Sequence, residues 1–197
     1  MTTPPGLRAL LCHPATPSRA IHAVSADCRS TPQATLQFRY EIAGDLARVR
    51  LPVDASRERR DRLWEHTCCE AFIATGPAVY LEFNFAPAGH WAAYRFKAYR
   101  DAERPDPEIA APRVDVGRTD ALFTLAAEVA IPGLPGITAG ATLKIALAAV
   151  IEECDGVRSY WALHHPRARP DFHDRRAFVM AITQHGGPEP QRRELAR

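Results

Sequence analysis

Apolar residues recur at every second position in short runs, and Gly, Pro and Asp punctuate the gaps between them. Leu36, Phe38, Tyr40 and Ile42 alternate with Gln37, Arg39 and Glu41; Phe123, Leu125, Ala127, Val129 and Ile131 alternate with Thr124 and Glu128. Leu143, Ile145, Leu147, Ala149 and Ile151 keep the same period in a stretch whose Ala and Leu content would otherwise suit a helix. Period two places every apolar side chain on one face of a strand, whereas a helix would scatter them around its axis. Asp155-Gly156 predicts a tight hairpin from the third run into Val157 to His164, and Ala43-Gly44-Asp45 predicts a turn from the first run into a second arm, Leu46 to Leu51. Leu63 to Ala74 reads as extended, Phe178, Met180 and Ile182 as a closing strand, and Ala20 to Val24 as an edge strand.

About nine such runs, with no helical pattern between them, exclude a parallel α/β sheet and predict an all-β, antiparallel β-sandwich. Two sheets with one apolar face each bury those faces against one another. At 197 residues the chain is long enough for one core without disulfide or metal staples. The expected domain is 11–183, with flexible termini at 1–10 and 184–197. Lys97 to Val116, with Pro105, Pro107 and Pro112, reads as a long surface connection, as does Pro132 to Gly140.

Net charge is +2, and the basic residues are spread along the chain, nearly all of them Arg, with Lys97 and Lys144 as exceptions. That distribution argues against a nucleic-acid or membrane partner. The five cysteines, Cys12, Cys28, Cys68, Cys69 and Cys154, show no paired CxxC spacing, so neither a disulfide framework nor a structural zinc site is expected. The Met1 to Leu11 segment lacks the apolar run of a signal peptide, and a cytoplasmic location is the expectation. Nothing in the residues sets the oligomeric state.

Three stretches carry candidate binding chemistry. In "EFNFAPAGHWAAYRF", Glu82 to Phe96, two alternating arms flank Ala86-Pro87-Ala88-Gly89-His90. With Pro87 to His90 as the loop, Asn84 faces Ala93 and Glu82 faces Arg95. Leu81, Phe83, Phe85, Tyr94 and Phe96 then share a core face, and Glu82, Asn84, Trp91 and Arg95 share the other. That second face reads either as a solvated surface with a Glu82–Arg95 pair or as a binding face with Trp91 as its platform. In "LWEHTCCEAF", Leu63 to Phe72, an extended chain sets Trp64, His66 and Glu70 on one side, and Glu70 in a core-like segment needs a partner such as Arg95 or Arg158, or a ligand. In "SYWALHHPRARPDFH", Ser159 to His173, Trp161 lies on a strand, and His165, Asp171 and His173 rim a pocket or, alternatively, form the centre of a metal-dependent enzyme. No nucleophile elbow, phosphate loop or catalytic triad is present, so the chain reads as a ligand-binding domain and not an enzyme.

These three stretches, in this order, resemble the bacterial DOMON-like proteins, a branch of the superfamily that includes type 9 carbohydrate-binding modules. The resemblance spans Leu11 to Ile182. It implies an immunoglobulin-like or jelly-roll β-sandwich that binds a small ligand, a sugar or haem elsewhere in the superfamily, and it implies no reaction. Haem-binding relatives use Met with His or Lys; here only Met1 and Met180 exist, so haem would fall to His66 with His165 or His173. Sugar modules stack Trp on a pyranose and bond its hydroxyls with Glu, Asn and Arg, chemistry that Trp64, Trp91, Trp161, Glu70, Glu82, Asn84 and Arg95 supply. A sugar-like ligand and no resident cofactor are the expectation, with haem as the alternative.

Overall fold

The computed structural model describes residues 6–52, 56–102, 109–138 and 140–184. Most of the expected C-terminal tail, the first five residues and the Pro105–Pro107 part of the long connection lie outside the described residues. Among the described residues twelve strands in antiparallel pairs follow one another: β1 (Arg8–Cys12), β2 (Ile21–Ser30), β3 (Thr35–Gly44), β4 (Cys68–Ala74), β5 (Tyr80–Phe85) and β6 (Trp91–Ala98). They continue as β7 (Asp101–Ala102), β8 (Arg113–Arg118), β9 (Leu122–Ala130), β10 (Thr142–Glu152), β11 (Arg158–Ala162) and β12 (Met180–Thr183). Among the described residues there is no α-helix, only short 3₁₀ turns such as Leu63–Glu65.

Two layers form the antiparallel sandwich that the alternation predicts. One runs β8-β9-β3-β2 and the other β7-β6-β5-β4-β10-β11, with β12 also on β10. The first strand joins them: Arg8, Ala9 and Leu10 pair with β2, while Leu11 and Cys12 pair with β11. Facing side chains fill the interior, with Phe38 of β3 5.8 Å from Phe85 of β5, ring centre to ring centre. Tyr40 is fully buried there, and its hydroxyl donates to the Glu70 carbonyl across the gap at 2.8 Å. A buried phenol needs that partner, and each such aromatic side chain contributes roughly 1.5–3 kcal/mol through burial.

The second layer is buried on its other face too. Phe72, Tyr80, Ala92, Tyr94, Phe96 and Val150 form a smaller apolar cluster there with Phe172 and Phe178 of the segment after β11. Ala146, Ala148 and Ala162 floor this cluster. Small side chains on β10 leave room for the overlying aromatic rings, which is why an Ala-rich stretch is a strand.

Several expectations are corrected. Leu46–Arg48 is a 3₁₀ turn capped by Asp45, because β3 takes β2 and β9 as neighbours and leaves no edge for a second arm. Of the expected edge strand Ala20 to Val24, all but Ala20 belong to the start of the ten-residue β2, which lies between β1 and β3 and is not an edge. Most consequentially, the β5–β6 register differs by one residue. Ala86 N–H donates to His90 C=O at 2.9 Å, so the loop is Ala86 to His90, with Gly89 at φ +84°. Phe85 therefore faces Trp91, and Glu82 faces Tyr94.

Candidate functional site

The register shift redistributes the hairpin. Tyr80, Glu82 and Asn84 now share a face with Ala92, Tyr94 and Phe96, while Trp91, Ala93 and Arg95 turn to the opposite side with Leu81, Phe83 and Phe85. Alternation predicted a pure core face against a polar one; the outer face is instead mixed, aromatic and carboxylate side by side. Next door on β4, Glu70 stands opposite Asn84, which makes Glu70 and Glu82 diagonal neighbours. Cys69 points into the core and Cys68 outward, its thiol on Asn84 Oδ1 at 3.3 Å.

Both carboxyl groups lie at the floor of a cleft of about 1050 Å³. They are 3% and 4% exposed. Asn84 Nδ2 donates to Glu82 Oε1 at 2.7 Å, whereas Glu70 Oε1 is buried with no hydrogen-bond partner among the described residues. Burial, and then the proximity of Glu82, pushes the Glu70 carboxyl well above the ordinary range; burial likewise raises Glu82 to about 7. An unsatisfied carboxyl oxygen in such a place is costly unless something that enters the cleft bonds it.

Arg100 is the cation whose field opposes the rise at both carboxyls. It sits in the turn between β6 and β7 at φ +56°, a conformation most side chains avoid. Its Nη2 donates to Asp171 Oδ1 at 3.1 Å, its Nε to the Tyr99 hydroxyl at 3.3 Å, and its backbone N–H to the Tyr80 hydroxyl at 3.2 Å. Tyr99 also donates to Asp171 at 2.7 Å. The Tyr80 hydroxyl, which accepts from Arg100, also shares a 2.8 Å hydrogen bond with His173 Nδ1. The other ring nitrogen, Nε2, faces Glu82 Oε2 at 3.8 Å, too long for a direct hydrogen bond. Burial, and then Arg100, lowers the His173 pKa to about 4, so the ring is neutral.

Aromatic side chains stand on either flank. Trp64, on the 3₁₀ turn before β4 and 39% exposed, meets Tyr94 edge-on at 5.4 Å; on the far flank Tyr160 of β11 lies 6.0 Å from Phe172. The strand order β6-β5-β4-β10-β11 sets these pairs apart with Glu82 and Glu70 between them.

Of the residues singled out from sequence, Trp64, Glu70, Glu82 and His173 line the cleft. Asn84 and Asp171 sit behind it, holding Glu82 and Arg100. Trp91 and Trp161 belong to the inter-sheet core, with the Trp161 indole donating to Ser159 at 2.9 Å, so neither is a platform. Arg95 faces away from Glu82 because of the register, and neither it nor Arg158 is the partner of Glu70. His66 Nδ1 lies 2.7 Å from Glu152, and His165 Nε2 2.8 Å from the Leu11 carbonyl, both outside the cleft lining. Among the described residues no group of three His, Cys, Asp or Glu is placed to hold a metal ion, so His165, Asp171 and His173 do not form the metal centre considered above. Met180 is buried in the inter-sheet core. Arg100 was missed because it sits in a turn, where period-two reading is silent; its Tyr-Arg neighbour pair after a strand was the available signal.

No protein-family profile and no curated protein sequence matches the chain. Its fold is similar to that of two solved structures. One, a "putative carbohydrate-binding protein" from Bacteroides uniformis ATCC 8492, is 16% identical with TM-score 0.68 over 90% of this chain and 85% of that one. The other, a carbohydrate-binding module of family 9 from Caldicellulosiruptor kristjanssonii in complex with glucose, is 10% identical with TM-score 0.53 over 89% of this chain and 82% of that one. At these identities the likeness is one of fold, and the fold is that of the family 9 module.

Proposed function

We propose that the chain is a non-catalytic, ligand-binding β-sandwich of the DOMON-like branch, and that it holds a carbohydrate or similar polar ring in the cleft over Glu70 and Glu82. The observation that carries this reading is Glu70 Oε1, buried and unsatisfied at the floor of an aromatic-flanked cleft. A pyranose offers apolar C–H faces and a rim of hydroxyls. Trp64, Tyr94, Tyr160 and Phe172 suit the faces, and Glu70, Glu82, His173 Nε2 and Arg100 suit the hydroxyls as acceptors and donors. The glucose held by the family 9 module supports the same ligand class. The five cysteines, all free thiols, suit a reducing cytoplasm.

Intrinsic fluorescence titrated against mono- and oligosaccharides tests the proposal. A saturable change in the native protein that vanishes in Trp64→Ala but survives Trp91→Phe places the sugar in this cleft. No response to any saccharide, with calorimetry equally silent, overturns it.

A further inference from the structure

Cations crowd the mouth of the cleft. Arg100, Arg158 and Arg169 all line it, against Glu65, Glu70 and Glu82. Glu65 is already engaged by Arg62 at 2.6 Å, and the other two carboxyls are buried at the floor. Among the described residues Arg158 makes one hydrogen bond, to the Glu65 carbonyl at 3.1 Å, and no ion pair, and the exposed Arg169 meets no carboxylate. Asp171, which holds Arg100, is shared with Arg167 at 3.2 Å, so even this acid is outnumbered. Guanidinium groups without carboxylates, beside a floor built for hydroxyls, match a ligand that carries hydroxyls at one end and a planar or tetrahedral anion at the other.

We infer that the cleft selects an anionic saccharide, a sugar bearing a carboxylate or a phosphate, with Arg158 and Arg169 taking the charged group and Glu70, Glu82 and Arg100 the ring hydroxyls. The inference rests on the carbohydrate reading and adds charge to it. Trp64, Tyr94, Tyr160 and Phe172 still flank the ring. The arginines then act outside the buried floor, where an anion keeps part of its hydration and the two floor carboxyls do not meet it directly.

Calorimetry with glucose, glucuronate, glucose 6-phosphate and inorganic phosphate, at low and moderate salt, tests it. At least one of the two acidic sugars binds about tenfold or more tighter than glucose at low salt, the value of one charge-assisted hydrogen bond. Added salt narrows that lead. Arg158→Gln and Arg169→Gln each remove most of the lead, while Arg113→Gln, the same charge change on β8, leaves both the lead and glucose binding unchanged. Equal affinity for glucose and the acidic sugars, or indifference to both substitutions, overturns the charge assignment and leaves the carbohydrate reading standing. Inorganic phosphate that binds as tightly as the acidic sugars overturns it in favour of a plain anion site. Silence with every sugar overturns both. The glucuronate and glucose 6-phosphate arms tell carboxylate from phosphate.

Discussion

Asn84 Nδ2 donates to Glu82 Oε1 at 2.7 Å, leaving Oε2 turned toward His173 at 3.8 Å. One carboxyl oxygen is fixed by the protein and the other is offered to the cleft. Because burial raises this carboxyl from 4.5 to about 7, the folded chain keeps a proton across that window that the unfolded chain has already released. Stability from this group is thus full below pH 4.5 and lost as pH rises through 7. Glu82→Gln, which mimics the protonated form, should match the native protein in thermal stability at pH 4.5 and exceed it at pH 8. The gain is at most roughly 3 kcal/mol, or about 5–10 °C in Tm. His173 acts oppositely: with its pKa lowered from 6.5 to about 4, its contribution is present above 6.5 and lost as pH falls through 4. The histidine is common to both proteins, so the difference between their melting curves reads Glu82 together with the part of the Glu70 rise that Glu82 causes.

Asp171 acts on the cleft through Arg100. Asp171→Asn weakens both the Arg100 and Arg167 contacts and frees a side chain now fixed at 3.1 Å. Saccharide affinity measured by calorimetry should fall about tenfold, since a charged hydrogen bond is worth roughly 1.5–3 kcal/mol. Tyr99→Phe removes one bond to the same carboxylate and should cost less. A purely structural role for Asp171 would lower Tm and leave the affinity of the folded protein untouched.

Trp64 and Trp161 separate binding from stability. Trp64 is 39% exposed, and its truncation to Ala should abolish the fluorescence response with a change in unfolding free energy within about 0.5 kcal/mol. Trp161 is 5% exposed in the inter-sheet core, and Trp161→Ala should cost roughly 3–5 kcal/mol in denaturant unfolding.

Gly44 closes β3 against the start of β2. A Cβ there would lie 2.3 Å from the Ala20 carbonyl oxygen and 2.8 Å from Ile21 Cα, both backbone atoms that cannot swing away. Gly44→Ala should destabilise the fold by about 1–3 kcal/mol, read from urea unfolding.

Period two in β3, β9 and β10 was legible because alternation is a local property of the chain, and it was enough to predict a sandwich. Glu70 stood out for the same reason: a carboxylate inside an apolar run announces a cost that something must offset. Trp91 and Arg95 were misplaced because one residue of loop length decides which face a strand presents, and Pro87 and Gly89 permit either length. The Ala86 N–H to His90 C=O bond settled it, at 2.9 Å.

By itself, then, the sequence determined that the chain is all β, that the runs of β3, β9 and β10 are strands, and that Glu70, Glu82, Trp64 and His173 merit attention. Tertiary structure alone decided that these four share one cleft, that Trp91 and Trp161 are core, and that Arg100 lines the same cleft as the carboxyls. The reason is physical: a strand's pattern fixes which of its side chains go together, but only hydrogen-bonded register and the packing of the segment after β11 onto the second layer fix what those side chains meet.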